Sequence, residues 1–143
     1  MTIARILANK GREIITTQPS ATLVEAAETL TAHKIGAVVV TDARGGVVGI
    51  LSERDIIRAI SDHGAKALND PIAAHMTKNV FTTHEGECVR ASVERMTKDR
   101  FRHLPVIREG RLVGLVSIGD IVKYRLEEME QEHQALREYI ATA

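Results

Sequence analysis

The stretch Gly49-Ile50-Leu51-Ser52-Glu53-Arg54-Asp55 has a second version 65 residues later, Gly114-Leu115-Val116-Ser117-Ile118-Gly119-Asp120. Each version begins with glycine, runs through two apolar residues to a serine, and ends on an aspartate three residues after that serine. Further upstream, residues 14–17 match residues 80–83 at an offset of 66, and the one-residue slip falls in a turn. A register kept over this length indicates two copies of one structural unit.

Each copy carries the same succession of local patterns. An extended segment precedes a first helix, two β-branched runs follow with a glycine-containing turn between them, and a second helix ends the copy. Thr22 and Glu25 have the spacing of a capping box at the start of the first helix. The expected segments are residues 13–17, 22–33, 37–41, 47–51 and 53–61 in the first copy, and 79–83, 88–99, 103–107, 112–116 and 118–127 in the second.

These patterns predict an α+β fold of two β-α-β-β-α repeats. A unit of this size buries too little apolar surface to be stable alone, so we expect the repeats to pack about a pseudo-two-fold axis. A site in one repeat then has a counterpart in the other. The expected division of the chain is a first repeat with its lead-in segment and connector at residues 1–68, a second repeat at 69–124 and a C-terminal helix at 125–143.

Composition excludes several classes of protein. Apolar residues make up 44% of the 143 residues, which excludes a disordered or fibrous chain. Nineteen Lys and Arg balance nineteen Asp and Glu, so nothing favours nucleic-acid binding or capture by a membrane surface. The single cysteine, Cys88, forbids a disulfide within the chain and favours a reducing compartment, and no apolar run approaches a membrane span. We therefore expect a cytoplasmic location.

The repeated motif resembles the signature of cystathionine-β-synthase (CBS) domains. That signature is a glycine, two hydrophobic residues, Ser or Thr, two variable residues and Asp, and residues 101–106 also resemble the second strand of the family. Two copies make a CBS pair, or Bateman module. The Ser-Glu-Arg-Asp form in the first copy is similar to small stand-alone CBS-pair proteins of bacteria and plant organelles.

Ser52 and Ser117 stand between a strand and a helix, where a serine caps free helix N–H groups. Capping can be their whole role, although free N–H groups at a helix start also attract phosphate. Asp55 and Asp120 lie one turn further on and can complement the helix dipole. The resemblance implies that these carboxylates instead accept hydrogen bonds from the two hydroxyls of a ribose.

An adenine needs an apolar slot with backbone groups that contact its edge. Arg102 and His103 correspond to Gly36 and Ala37 of the first copy, so only the second slot gains cationic side chains here. These side chains either bind phosphate or face solvent. Arg54 corresponds to Gly119 of the second copy, so we expect the first cleft to take its positive charge from the helix that follows Ser52. By the resemblance, the slots are framed by Thr17, Ile35, Gly36, Ala37 and Val38, and by Thr83, Phe101, Arg102, His103 and Pro105.

No residue pattern indicates catalysis. The six histidines have no metal-ligand spacing, and Cys88 has no partner nearby in the sequence, so neither a metal site nor a catalytic thiol is expected. No nucleophile triad, phosphate-binding glycine loop or pair of catalytic carboxylates is recognisable. We expect a protein that is not an enzyme and needs no catalytic cofactor.

An apolar stripe with spacing 4, 3, 4, 3, 4 runs through the C-terminal segment. This spacing predicts one long helix that continues the last helix of the second repeat. The stripe either folds back on its own repeat or packs against a second subunit, and the resemblance favours a homodimer. Its members are Val122, Leu126, Met129, His133, Leu136 and Ile140.

The resemblance implies a regulatory sensor of adenosine-containing ligands. AMP, ADP and ATP are expected ahead of NAD and S-adenosylmethionine, and an unidentified effector protein would respond to the bound state. The alternative is an interaction module whose clefts are vestigial and whose C-terminal helix is the working surface. An enzyme is a third alternative, without support from any motif.

Overall fold

The computed structural model describes residues 1–142, which form five α-helices and five strands. Their order is the expected β-α-β-β-α succession in the first copy and α-β-β-α in the second, with an additional helix before the first copy. The α+β prediction is therefore confirmed. The helices are α1 (Ile3–Lys10), α2 (Leu23–His33), α3 (Glu53–His63), α4 (Val89–Asp99) and α5 (Ile118–Thr142); the strands are β1 (Thr16–Thr17), β2 (Ala37–Thr41), β3 (Val47–Ser52), β4 (His103–Arg108) and β5 (Arg111–Ser117).

The first repeat is a three-stranded sheet in the order β1-β2-β3, with α2 and α3 on one face. Thr22 and Glu25 form the predicted capping box, because each side chain accepts a backbone N–H of the other residue. Val38 and Val40 pack among the helices, whereas Ala37 and Val39 are buried on the opposite face and belong to neither helical core. A second buried face is expected where two sheets pack together.

The hairpins of the two repeats match in register. Ala37 pairs with Ser52 in the first hairpin, and His103 pairs with Ser117 in the second. The one-residue difference between the copies lies in the connecting turns, as the sequence predicts. In the second turn Glu109 and Gly110 both have positive φ, at 51° and 75°, which is the backbone of a two-residue hairpin turn.

The second repeat lacks a first strand of its own. Residues 79–83 were expected to be extended, but only Thr83 pairs with β4, through a parallel bridge to Val106. Its N–H donates to Pro105 O and its O accepts from Ile107 N. The expectation is wrong for residues 79–82, and the sheet of the second repeat consists of β4 and β5 alone.

Helix α1 crosses from the first repeat to the second. Its buried side chains Ile3, Ile6 and Leu7 belong to the core of the second repeat, with residues of α4, β4, β5 and α5. Leu7 lies directly over Gly114, where an added Cβ would be 2.7 Å from a Leu7 methyl carbon. The sequence had placed this segment with the first repeat, and the boundaries at residues 68 and 124 stay predictions.

Helix α5 is continuous over its 25 residues, so the C-terminal segment does extend the last helix of the second repeat. At about 1.5 Å per residue it is about 37 Å long. Only Ile121, in its first turn, is fully buried. The apolar stripe is exposed in this single chain, which is contrary to a stripe folded back on its own repeat: Val122, Leu126, Met129, Leu136 and Ile140 are each at least half exposed.

Candidate functional site

In the first repeat, Ser52 and Asp55 join β3 to α3 through a capping box. Ser52 Oγ accepts the N–H of Asp55, and Asp55 Oδ2 accepts the N–H of Ser52 at 2.9 Å. Ser52 Oγ also donates to the same carboxylate oxygen, at 3.1 Å. Only 7% of the Asp55 side chain is exposed, and Arg58 Nη1 lies 3.6 Å from its other oxygen, Oδ1.

In the second repeat, Ser117 and Asp120 form the same arrangement between β5 and α5. Ser117 Oγ accepts the N–H of Asp120 at 3.1 Å, and Asp120 Oδ2 accepts the N–H of Ser117 at 2.9 Å. The prediction that both serines are N-caps is confirmed. The Asp120 side chain is 24% exposed, more than three times as open as Asp55.

The two motifs occupy equivalent places relative to their hairpins. Glu53 N donates to Gly36 O in the first repeat, and Ile118 N donates to Arg102 O in the second, at 3.0 and 2.9 Å. Each helix start is therefore held against the residue that precedes the first strand of the hairpin, β2 or β4. The Ser-x-x-Asp motif and the predicted slot residues on this side consequently lie together in both repeats.

A lysine from α1 contacts the second motif. Lys10 Nζ lies 2.6 Å from Asp120 Oδ2 and 2.6 Å from Leu115 O, and it donates a hydrogen bond to each. In the first repeat Met76 covers Gly49, in the way that Leu7 covers Gly114 in the second repeat. Within residues 1–142 no lysine is hydrogen-bonded to Asp55, and the cation paired with this carboxylate is Arg58.

The Lys10 ammonium changes the ionisation of its neighbours. Burial alone raises the pKa of Asp120, but hydrogen bonds from Lys10 and Ser117 outweigh burial and hold that pKa below its usual range. Burial lowers the pKa of His103, and the positive charges of Lys10 and Arg102 lower it further. The carboxylates of Asp120 and Glu53 act in the opposite direction on His103 and do not reverse the shift.

The first predicted slot is only partly assembled around Asp55. Ile35, Gly36 and Ala37 lie at the Ser52 end of the sheet. Thr17 pairs with Val40 instead, three positions along β2 and about 10 Å away. The side chain of Val38 packs in the first helical core, so only its backbone is available to a slot on the opposite face. Arg54 is exposed in the first turn of α3.

In the second slot, Thr83 is part of a polar cluster around Glu87. Glu87 Oε2 accepts hydrogen bonds from the hydroxyls of Thr83 and Ser92 and from Arg95 Nη2. Burial raises the Glu87 pKa, but these three donors lower it below its usual range. The offset pairs Glu87 with Ala21, so the cluster has no counterpart in the first repeat.

Phe101 is the large apolar residue of the second slot. It stacks on Phe81, with ring centroids 4.7 Å apart and planes within 6° of parallel. Pro105 is buried in β4, half-buried His103 lies at the start of that strand, and Arg102 is exposed just before it. Around the start of β4 the structure therefore places two stacked phenylalanine rings, an exposed arginine and a half-buried histidine.

Two open grooves lie elsewhere on the surface, and neither is lined by Asp55 or Asp120. One, of about 570 Å³, lies between α1 and α5. The other, of about 470 Å³, runs along α2 and α3 and includes Ile35, Gly36 and Glu53. Within residues 1–142, no three His, Cys, Asp or Glu side chains are grouped to hold a metal ion, and no helix is long and apolar enough to cross a bilayer.

Lys10 and Glu87 are the site-related residues that sequence reasoning missed. For Lys10 the repeat gives no signal, because the match between the two copies begins at residue 14, after Lys10. Its contact with Asp120 spans 110 residues of sequence, which no local pattern encodes. Glu87 could be found from the repeat offset, which places this charged residue opposite Ala21.

Comparison with known proteins gives one consistent family. The model of the CBS domain matches residues 9–62 and again residues 72–127. The crystal structure of the CBS-domain protein ATU1752 from Agrobacterium tumefaciens is 47% identical, covers 87% of this chain and 99% of its own, and superposes with a TM-score of 0.85.

Two further solved structures contain ligands. The CBS domain pair of protein MJ0100, in complex with 5′-methylthioadenosine and S-adenosyl-L-methionine, is 29% identical, with 90% of this chain and 98% of that chain covered and a TM-score of 0.80. The CBS domain protein PAE2072 from Pyrobaculum aerophilum, complexed with AMP, is 28% identical, with 84% and 89% covered and a TM-score of 0.75. With two repeats matched in register, this chain belongs to the CBS-domain family.

Proposed function

We propose that this protein is a non-catalytic regulatory module that binds an adenosine-containing ligand at its two Ser-x-x-Asp motifs and signals the bound state to a partner protein. The observation that carries the proposal is the duplicated carboxylate, placed alike in both repeats. Helix capping uses only Oδ2 of each aspartate. Within residues 1–142 no hydrogen bond reaches Asp120 Oδ1, which leaves an acceptor for a sugar hydroxyl.

Related proteins support this class of ligand. MJ0100 was crystallised with two adenosine derivatives, and PAE2072 with AMP. The choice among AMP, ADP, ATP, NAD and S-adenosylmethionine, and the effector protein, belong to the proposal. So do the assignment of the slot residues to ligand contacts and a cytoplasmic location.

A thermal-shift series with these five ligands tests the proposal. A ligand at 100 times its Kd adds about 2.7 kcal/mol to the free energy of unfolding. For a chain of this size that energy raises Tm by roughly 5 to 11 °C. If no ligand raises Tm at millimolar concentration, the proposed function is wrong.

Two matched amide substitutions assign the sites. Asp120→Asn removes a carboxylate at the proposed sugar contact, and Glu109→Gln makes the same chemical change in an exposed turn. We expect Asp120→Asn to reduce the ligand-induced shift and Glu109→Gln to leave it unchanged. Equal effects of the two substitutions would contradict the sugar-binding role. Asp55→Asn tests in the same way whether the first cleft contributes to the ligand-induced shift in Tm.

A second candidate function is self-association through α5. The exposed stripe on this helix has the 4, 3 spacing with which helices pack in pairs, and Tyr139 beside it is 72% exposed. We propose that a second copy of this chain covers the stripe. As an interaction module, the protein would keep its partner when both clefts are disabled.

Light scattering after size exclusion tests this candidate. Leu126→Glu and Leu136→Glu place charges on the stripe without touching the core of either repeat. We expect wild-type protein to have the mass of a dimer and the double variant that of a monomer. Glu127→Gln and Gln134→Glu, on the same helix, serve as controls that keep the dimer mass. A monomeric wild-type protein would refute self-association.

A further inference from the structure

Resting on the proposed function, we infer that Lys10 is a specificity-determining residue of the second cleft and selects an adenosine ligand with a negatively charged 5′ substituent. The observation behind this inference is the placement of the Lys10 ammonium, 2.6 Å from the carboxylate that is proposed to hold the sugar. AMP has a phosphate at C5′, whereas S-adenosylmethionine has a sulfonium cation attached there. The sign of the charge near the sugar therefore separates these two ligand classes.

Lys10 is delivered to the cleft by a fixed element. Helix α1 is held on the second core by three fully or almost fully buried side chains, Ile3, Ile6 and Leu7. Lys10 is the last residue of this helix, where a cation also complements the helix dipole. Since the helix is anchored without it, the lysine is not needed to dock α1, and a partly exposed ion pair of this kind contributes little to stability.

The ammonium retains capacity for a ligand. Two of its three protons are used, on Asp120 Oδ2 and Leu115 O. Its side chain is 35% exposed, so the third N–H can reach a group that enters from solvent. A phosphate attached to a sugar on Asp120 Oδ1 lies close enough to gain from this charge.

Other charges around the second cleft support the same preference. Arg102 is exposed directly before β4, and the pKa of His103 is lowered by burial first and then by the charges of Lys10 and Arg102. The opposing carboxylates are Asp120 and Glu53, and Asp120 is already paired with Lys10. In the first cleft the cation beside the aspartate is Arg58, whose Nη1 lies 3.6 Å from Asp55 Oδ1, so the two clefts differ in the cation that contacts the carboxylate.

The test compares AMP, neutral 5′-methylthioadenosine and S-adenosylmethionine by NMR titration of uniformly labelled full chain. The amide of Gly119 reports the second cleft and that of Gly36 the first, so the two affinities are measured separately. The variants are Lys10→Met, which removes the charge and keeps an unbranched side chain, Lys10→Arg, which keeps the charge, and Lys98→Met as a control on the exposed end of α4.

At the second cleft we expect wild-type protein to bind AMP most tightly and S-adenosylmethionine most weakly. Lys10→Met should weaken AMP binding about tenfold, change methylthioadenosine binding less than about twofold and strengthen S-adenosylmethionine binding. Lys10→Arg and Lys98→Met should keep the wild-type order.

Four results would overturn the inference. Equal weakening of all three ligands by Lys10→Met would make Lys10 a structural residue, and tighter binding of all three would make it a competitor for Asp120. A wild-type protein that binds S-adenosylmethionine or methylthioadenosine more tightly than AMP would refute the charge selection while the proposed ligand-binding function stands. If none of the three ligands changes the chemical shifts, both the inference and the proposed function are wrong.

Discussion

Replacing Gly114 by alanine should destabilise the protein, because Leu7 of α1 occupies the space above this glycine. A Cβ at position 114 would lie 2.7 and 2.9 Å from the two methyl carbons of Leu7. Carbon atoms in contact prefer separations of about 3.5–4.0 Å, so Leu7 must move by about 1 Å. Leu7 is fully buried, and overpacking at such a place costs about 1–3 kcal/mol.

Urea denaturation followed by circular dichroism measures this cost. We expect a lower midpoint with an unchanged dependence on urea, which indicates a change in stability alone. Gly119→Ala is the control, since its Cβ would meet nothing closer than Ser117 Oγ at 3.6 Å. In the first turn of α5 this alanine should be neutral or stabilise the helix by up to about 1 kcal/mol.

A double-mutant cycle identifies Leu7 as the cause. Leu7→Ala alone should cost about 2–5 kcal/mol, because it leaves a cavity between α1 and β5. In the Gly114→Ala background the same change relieves the clash, so the combined loss should be smaller than the two losses added. Additive losses, or a Gly114→Ala variant as stable as wild type, would show that α1 does not pack on the second repeat in this way.

Three further predictions concern single side chains. Thr22→Ala should lower the free energy of unfolding by about 1 kcal/mol through loss of the capping box, whereas Cys88→Ala, at an N-cap without a side-chain bond, should change urea stability little. The pKa of His103 is lowered in the folded state by burial and then by neighbouring positive charge. The free energy of unfolding should therefore fall as the pH drops below about 6.5, where the unfolded chain binds the proton more readily. His103→Gln should flatten this pH dependence in urea titrations between pH 5 and 7. Glu87→Ala leaves buried Ser92 without its acceptor and should cost about 1–3 kcal/mol at pH 7, more than Glu87→Gln; equal costs would argue against the polar cluster.

Local sequence signals predicted most of the secondary structure. Helix α2 begins after Thr22 because the capping box with Glu25 fixes it, and β2 occupies Ala37–Thr41 as its β-branched run predicts. The hairpins and the position of the one-residue slip were also correct. These features depend on residues a few positions apart, so their physical causes are present in short stretches of sequence.

The errors concern elements that depend on distant partners. Residues 79–82 have the pattern of a strand but make no ladder, since only Thr83 bonds to β4. Helix α1 was interpreted as a lead-in to the first repeat because it precedes that repeat in the chain. Its apolar side chains are nevertheless buried in the second core, a choice made by packing and not by sequence order.

By itself, the order of amino acids determined that the protein has two like halves, each with a serine and an aspartate at the start of its last helix. Each serine and its aspartate are only three residues apart, so their contact forms wherever the helix forms. Only the tertiary structure decided that Lys10 lies against Asp120, whereas within residues 1–142 no lysine contacts Asp55. The physical reason is that an ion pair across 110 residues exists only after α1 has buried its apolar face on the other repeat.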